Sequence, residues 1–186
     1  PDHAGVYILP APYEHTSSYI LGSDHGPSAI IEASQQVELY DETLRCEPYR
    51  EWGGVATART LDLKGRVDGA AVQAIQDYVQ PHVGKGKFLV TLTGEHTGAL
   101  GAIRAHAKTY PGMCVLQIDA HGDLRQAYQG NPFSHASVMA RVVQDGLPLV
   151  QVGIRSISPE EIELIEKTPR IKTFFAASIL DPSGPY

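Results

Sequence analysis

The chain has 186 residues, with 42% hydrophobic and 19% charged side chains, 18 Gly and 13 Pro, a globular composition with enough apolar surface for a sizeable core that excludes a disordered or collagen-like chain. Fifteen Lys and Arg against 21 Asp and Glu leave a net charge of -6; the basic residues are scattered, and no nucleic-acid partner is expected. No apolar run approaches the roughly 18 to 20 residues of a membrane-spanning helix, and the start lacks a basic stretch followed by an apolar one, so a cytoplasmic protein without a membrane partner is expected.

In chain order, the first strand is expected at 6–9. A helix follows Gly26 and Pro27, with apolar Ile30, Ile31, Val37 and Leu39 beyond them. A strand at 55–57 precedes a helix with Val72, Ile75 and Val79 at helical spacing, and a strand at 88–92 precedes one with Leu100, Ile103 and Ala107. After a strand at 114–119, a helix starts near Ser134 with Val138 and Val142 on one side. A strand at 149–154 leads to the best-marked helix, because Ser158, Pro159, Glu160 and Glu161 read as a capping box with Pro in the first turn. The last strand is expected at 171–176. Asp181, Pro182, Ser183, Gly184 and Pro185 then read as a loop with no final helix.

This alternation is the signature of a parallel α/β sheet with crossover helices. With no repeat or linker, residues 1–186 are expected to form a single domain. Cys46 and Cys114 are too few for a disulfide framework, and Cys114, inside the apolar run 113–118, is expected to be a buried, inert thiol. The chain begins with Pro1 and not Met, as expected of a reading that starts inside a longer frame. A six-stranded sheet ending on a loop is expected to be a piece of a larger one.

In open α/β sheets ligands gather beyond the carboxyl ends of the strands. Two polar clusters occupy such places: Thr93, Gly94, Glu95, His96, Thr97 and Gly98 after 88–92, and Asp119, Ala120, His121, Gly122 and Asp123 after 113–118. In an extended segment residues i, i+2 and i+4 point the same way, so Asp119, His121 and Asp123 can converge with only small residues between them. His96 would add a second imidazole from another strand end. Oxygen and nitrogen donors without thiolate favour Mn²⁺, Fe²⁺ or Zn²⁺. Alone, the acidic pair also reads as a helix cap or loop carboxylates, and His96 as a satisfied loop or core residue. Their joint appearance at successive strand ends favours a metal site.

The run Gln117, Ile118, Asp119, Ala120, His121, Gly122, Asp123, Leu124, Arg125, with Gly94, Glu95 and His96 upstream, resembles the ureohydrolases, the arginase and agmatinase family of binuclear manganese enzymes. The segments 128–137 and 151–156 look like those of agmatinases. So do Pro12-Tyr13-Glu14, Ser17-Ser18-Tyr19 and Gly26-Pro27-Ser28-Ala29-Ile30, which resemble the substrate-side loop and first helix. The resemblance implies a three-layer α/β sandwich, with a mostly parallel sheet and helices on both faces. It implies two Mn²⁺ per intact site, with His96 on one metal, His121 on the other, and Asp119 and Asp123 giving carboxylates to the pair. His135, which would help shuttle protons, and Asp123 are the catalytic residues it implies. Thr93, Thr97 and Gly122 depart mildly from the family pattern without removing a ligand.

A later D-x-D pair and a Glu near the substrate, both usual in that family, are absent, and the sequence is expected to stop just upstream of them. The implied reaction is release of urea from a linear guanidino compound, first among them agmatine, giving putrescine and so a place in polyamine biosynthesis. Guanidinobutyrate, arginine and formimidoylglutamate are alternative substrates, and a scaffold or binding subunit lacking the second carboxylate pair is the non-catalytic alternative. A homo-oligomer, trimer or hexamer, is implied by resemblance alone. A guanidinium is a poor electrophile, and the leaving amine needs a proton, a task suited to an imidazole such as His135. Glu95 reads as structural, and His3, His15, His25, His82 and His106 receive no role.

Overall fold

The computed structural model describes residues 3–181, so part of the loop expected around Pro182, Ser183, Gly184 and Pro185 lies outside the described residues. The chain divides into two compact units, Pro1–Thr109 and Tyr110–Tyr186. Among the described residues no helix is long and apolar enough to cross a membrane.

The first unit holds β1 (Val6–Ala11), α1 (Gly26–Ala33), α2 (Pro48–Glu51), β2 (Val55–Thr57), α3 (Asp68–Val79), β3 (Phe88–Thr93) and α4 (Thr97–Thr109). Its three strands are parallel in the order β2-β1-β3, with Leu9 opposite Thr91 and Ala11 opposite Thr93. The apolar spacing in α3 is borne out: Val72, Ile75 and Val79 are all buried, and Ile75 and Val79 join Leu9, Ala11, Tyr13 and Ala105 in the core. Helices α3 and α4 approach closely at Gly101, where a Cβ would lie 2.6 Å from the Val72 carbonyl oxygen.

Two expectations change in this unit. Helix α1 stops at Ala33, after which one 3-10 turn and an extended Val37 end the helical pattern. Val37 and Leu39 are therefore not part of its buried face and are more than half exposed. The short helix α2 was not anticipated; Pro48 stands at its first turn.

The second unit holds β4 (Val115–Ile118), α5 (Val138–Gln144), β5 (Leu149–Ile154), α6 (Pro159–Lys167), β6 (Ile171–Phe175) and α7 (Ala176–Leu180). Its strands are parallel in the order β4-β5-β6. All six expected strands are therefore present, grouped as two three-stranded ladders. The ladder between β5 and β6 slips one residue between Val152 and Ile154. Gly153 sits there with φ +90°, in the left-handed region that a side chain resists.

Strand alternation corrects the reading of Cys114, which is exposed. Val115 and Gln117 point inward, whereas Leu116 and Ile118 are 61% and 79% exposed. Cys114 is in phase with the outward pair, so an apolar run does not by itself bury its thiol. The chain after β6 also differs, because residues 176–180 form α7 where a loop without a helix was expected.

Candidate metal-site loop and its supports

The segment 119–123 leaves the β4 ladder at Ile118 and is not the plain extended run that the spacing implied. The Asp119 carboxylate turns the chain by accepting from the His121 amide at 2.9 Å. Asp123 has φ +51°, a conformation uncommon for a residue with a side chain and typical of constrained functional loops. The outcome is still convergent: Asp119 and Asp123 each bring a carboxylate oxygen within 4.8 Å of the other. The His121 Nδ1 lies 3.5 Å from Asp119 Oδ1, with the imidazole mostly exposed.

This loop is held from three directions. From the next strand, the Arg155 and Ser156 amides both donate to the Ala120 carbonyl at 2.9 Å, and the Gly122 amide donates to the Ser156 carbonyl at 3.2 Å. From α6, the buried Glu161 carboxylate accepts from the Leu124 amide and the Ser158 amide, each at 2.8 Å. The second of these bonds is the reach-back arm of the capping box read from the sequence. From α5, the first-turn amides of Met139 and Ala140 donate to the Asp123 carbonyl at 2.9 and 3.2 Å, so one acceptor both caps a helix and fixes Asp123.

Behind the loop lies a buried amide pair. Gln151, with no exposed surface, donates through Nε2 to Gln117 Oε1 at 2.6 Å and to the Gly122 carbonyl at 2.7 Å. Its Oε1 accepts from the Thr173 hydroxyl at 2.8 Å. Gln117 Nε2 in turn lies 3.3 Å from Asp119 Oδ2 and 3.2 Å from the His121 carbonyl. Sequence reasoning gave neither glutamine a role. A polar residue inside each of two otherwise apolar strands was the available signal.

His135 opens a single 3-10 turn before α5. Its ring meets Tyr128 edge-on with centroids 5.7 Å apart, and the Arg125 guanidinium lies 5.7 Å from the Tyr128 ring centre. Gln129 and Gly130, with φ +51° and +80°, turn the chain so that Tyr128 and Asn131 exchange both backbone bonds. The Arg125 amide donates to the Ala136 carbonyl at 3.2 Å, which ties this segment to the end of the acidic loop.

In the first unit His96 lies three residues beyond the end of β3 and just before α4, and its carbonyl accepts from the Ala99 amide in the first turn of that helix. Glu95 is buried. A cavity of about 510 Å³ in this unit is lined by Tyr13, Glu14, Asp24, Asp62 and Lys64 among others, and by none of the sequence-predicted ligands.

The arginase-family sequence profile matches residues 4–182. Over 182 residues the chain is 40% identical to an N(1)-aminopropylagmatine ureohydrolase of Synechocystis sp., covering 96% of this chain and 59% of that protein. It is 33% identical to an agmatinase of Bacillus anthracis over 87% of this chain and 56% of the relative. Among solved structures it is similar to an agmatine ureohydrolase of Thermoplasma volcanium, with TM-score 0.78, 27% identity, and 97% and 60% of the two chains covered. It is likewise similar to an arginase of Medicago truncatula, with TM-score 0.79, 28% identity, and 95% and 58% covered. The chain thus spans about three fifths of the length of these relatives. Its parallel α/β architecture is arginase-like, and the chain belongs to the arginase family.

Proposed function

We propose that this chain contributes the acidic loop and substrate-side elements of a manganese-dependent ureohydrolase. The observation that carries the reading is the convergence of Asp119 and Asp123 within 4.8 Å on a loop whose backbone is pinned from β5, α5 and α6. The donor set fits a hard divalent cation, since carboxylate oxygen and imidazole nitrogen are the only donors it offers. In this reading Asp119, His121 and Asp123 hold metal, His96 joins them as a further imidazole, and residues 1–186 act as one domain. Bound manganese would supply Lewis-acid activation of water at neutral pH.

The side chains of this chain account for the other requirements. The Gln117 amide against Asp119 Oδ2 and the His121 amide on Oδ1 orient the carboxylate from both oxygens, the kind of support that directs a metal ligand. In this reading His135, whose ring meets Tyr128 edge-on, hands a proton to the departing amine nitrogen. The segment 128–137 contains no Lys or Arg to pair with an α-carboxylate, and the nearby Arg125 guanidinium lies 5.7 Å from the Tyr128 ring centre.

The proposed substrate is an unbranched alkyl guanidine with a terminal amine, agmatine foremost, giving putrescine and urea. N1-aminopropylagmatine is the second reading, favoured by the 40% identity to a protein of that name. A cytoplasmic homo-oligomer completes the proposal. The test is urea release by the purified gene product carrying this sequence, with Mn²⁺, across agmatine, N1-aminopropylagmatine, arginine, guanidinobutyrate and formimidoylglutamate. The highest kcat/KM is expected for agmatine or its aminopropyl derivative. Arginine above both would refute the substrate assignment, and no urea from any of them would favour a scaffold or binding subunit.

A further inference from the structure

Between β1 and α1 the chain makes a loop over residues 12–25, both of whose feet rest on the end of β3. At Gly94 a Cβ would lie 2.5 Å from the Tyr13 carbonyl oxygen and 2.7 Å from the Asp24 amide nitrogen, so the two feet meet the strand end where only glycine fits. The Glu95 amide donates to the Tyr13 carbonyl at 2.9 Å. The Glu95 carboxylate, 7% exposed, accepts from the His15 amide at 3.0 Å, the Thr16 amide at 2.7 Å and the Thr16 hydroxyl at 2.8 Å. Within the loop, Glu14 accepts from the Ser17 hydroxyl at 2.6 Å and the Gly22 amide at 2.7 Å.

A buried carboxylate with three donors from one loop is a strong, directional tie, because charge-assisted hydrogen bonds are roughly twice as strong as neutral ones. The loop leaves the carboxyl end of one strand and lands on the carboxyl end of its neighbour, the edge where such sheets bind ligands. His96 is the next residue after the tie. The loop's crest, Tyr19, Ile20 and Leu21, is 72–91% exposed. No Lys or Arg occurs in the chain before Arg45, whereas Glu14 and Asp24 flank the crest. The loop's own side chains suit a methylene chain ending in an ammonium, while Lys64 and Arg66, from outside the loop, line the cavity beside Glu14 and Asp24.

We infer that Glu95 is a positioning residue for substrate: its carboxylate sets the 12–25 loop beside His96, and the loop forms the wall that reads the substrate beyond its guanidinium. This rests on the ureohydrolase reading. It assigns Glu95 to substrate affinity and not to metal affinity or to the chemical step.

The experiment compares the parent gene product with Glu95→Ala, Glu95→Gln and Thr16→Ala, measuring KM and kcat for agmatine and Mn²⁺ affinity by calorimetry. Glu95→Ala is expected to raise KM about tenfold with kcat and Mn²⁺ affinity each within about threefold, the pattern of lost uniform binding. Glu95→Gln should restore most of the KM, since its amide oxygen still accepts from the backbone amides and its NH₂ can donate to the Thr16 hydroxyl. Thr16→Ala, which removes one bond from the loop side, should raise KM about two- to threefold and guards against misfolding of the Glu95 variants. An active parent whose KM is unchanged in both Glu95→Ala and Thr16→Ala, or whose Mn²⁺ affinity falls in step with activity, overturns the positioning role alone. A parent that neither binds Mn²⁺ nor releases urea overturns the ureohydrolase reading and this inference with it.

Discussion

Replacing Gln151 with Leu tests whether the buried amide pair supports the acidic loop. The side chain has no exposed surface, donates to Gln117 Oε1 and the Gly122 carbonyl, and accepts from Thr173. Leucine has a similar volume, so packing is largely kept and the loss is of hydrogen bonds. Two buried acceptors lose their donor, at about 1–3 kcal/mol each. Thr173 is only partly buried and its hydroxyl can turn to water, so its share is discounted. The net cost is about 3 kcal/mol, against a typical domain stability of about 5–15 kcal/mol. That corresponds to a fall in Tm of about 6–12 °C for a chain of this size. Thr173→Val removes just the third bond and should cost about 1 kcal/mol. In the Gln151→Leu background it should add under about 0.5 kcal/mol, since its partner is already gone. Thermal and urea denaturation followed by circular dichroism measure all three. A Gln151→Leu cost below about 1 kcal/mol, or strict additivity with Thr173→Val, would refute the reasoning. Because Gln117 also touches Asp119, Mn²⁺ affinity should fall about 10- to 100-fold in Gln151→Leu.

Three shorter expectations accompany it. Hydrogen bonds from the Ser17 hydroxyl and then the Gly22 amide hold the Glu14 carboxylate down at about 2. A depressed acid stabilises the fold above its unfolded value near 4.5 and loses that contribution as pH falls toward 2, so the Gly22 amide shift should titrate near 2 by NMR; a midpoint above 4 would contradict the loop geometry. Tyr13→Phe removes the hydroxyl that accepts from the Asp68 amide at the start of α3 and should cost about 1 kcal/mol in denaturation; an unchanged Tm would count against that bond. His135→Asn is expected to lower kcat by about 100-fold or more with Mn²⁺ binding preserved, and a parallel loss of Mn²⁺ would show His135 to be a ligand instead.

The sequence determined what local chemistry and periodicity can carry. Strand positions and the buried faces of α3 and α5 follow from apolar spacing, and the acidic cluster is legible because its members lie within five residues, 119–123. The same reasoning overextended α1, whose apolar Val37 and Leu39 mimic helical spacing beyond Ala33 but are exposed. It buried Cys114, because hydrophobicity along a run says nothing about which face of a strand meets solvent. Only the tertiary structure decided how the loop is held. Gln117 and Gln151 are 34 residues apart and face each other through the parallel register of β4 and β5. Glu161 reaches Leu124 across 37 residues, and Glu95 meets His15 and Thr16 across 80 and 79. A ligand motif is a property of neighbouring residues along the chain, whereas the bonds that orient it close between strands and helices brought together by folding, and no local spacing encodes those pairings.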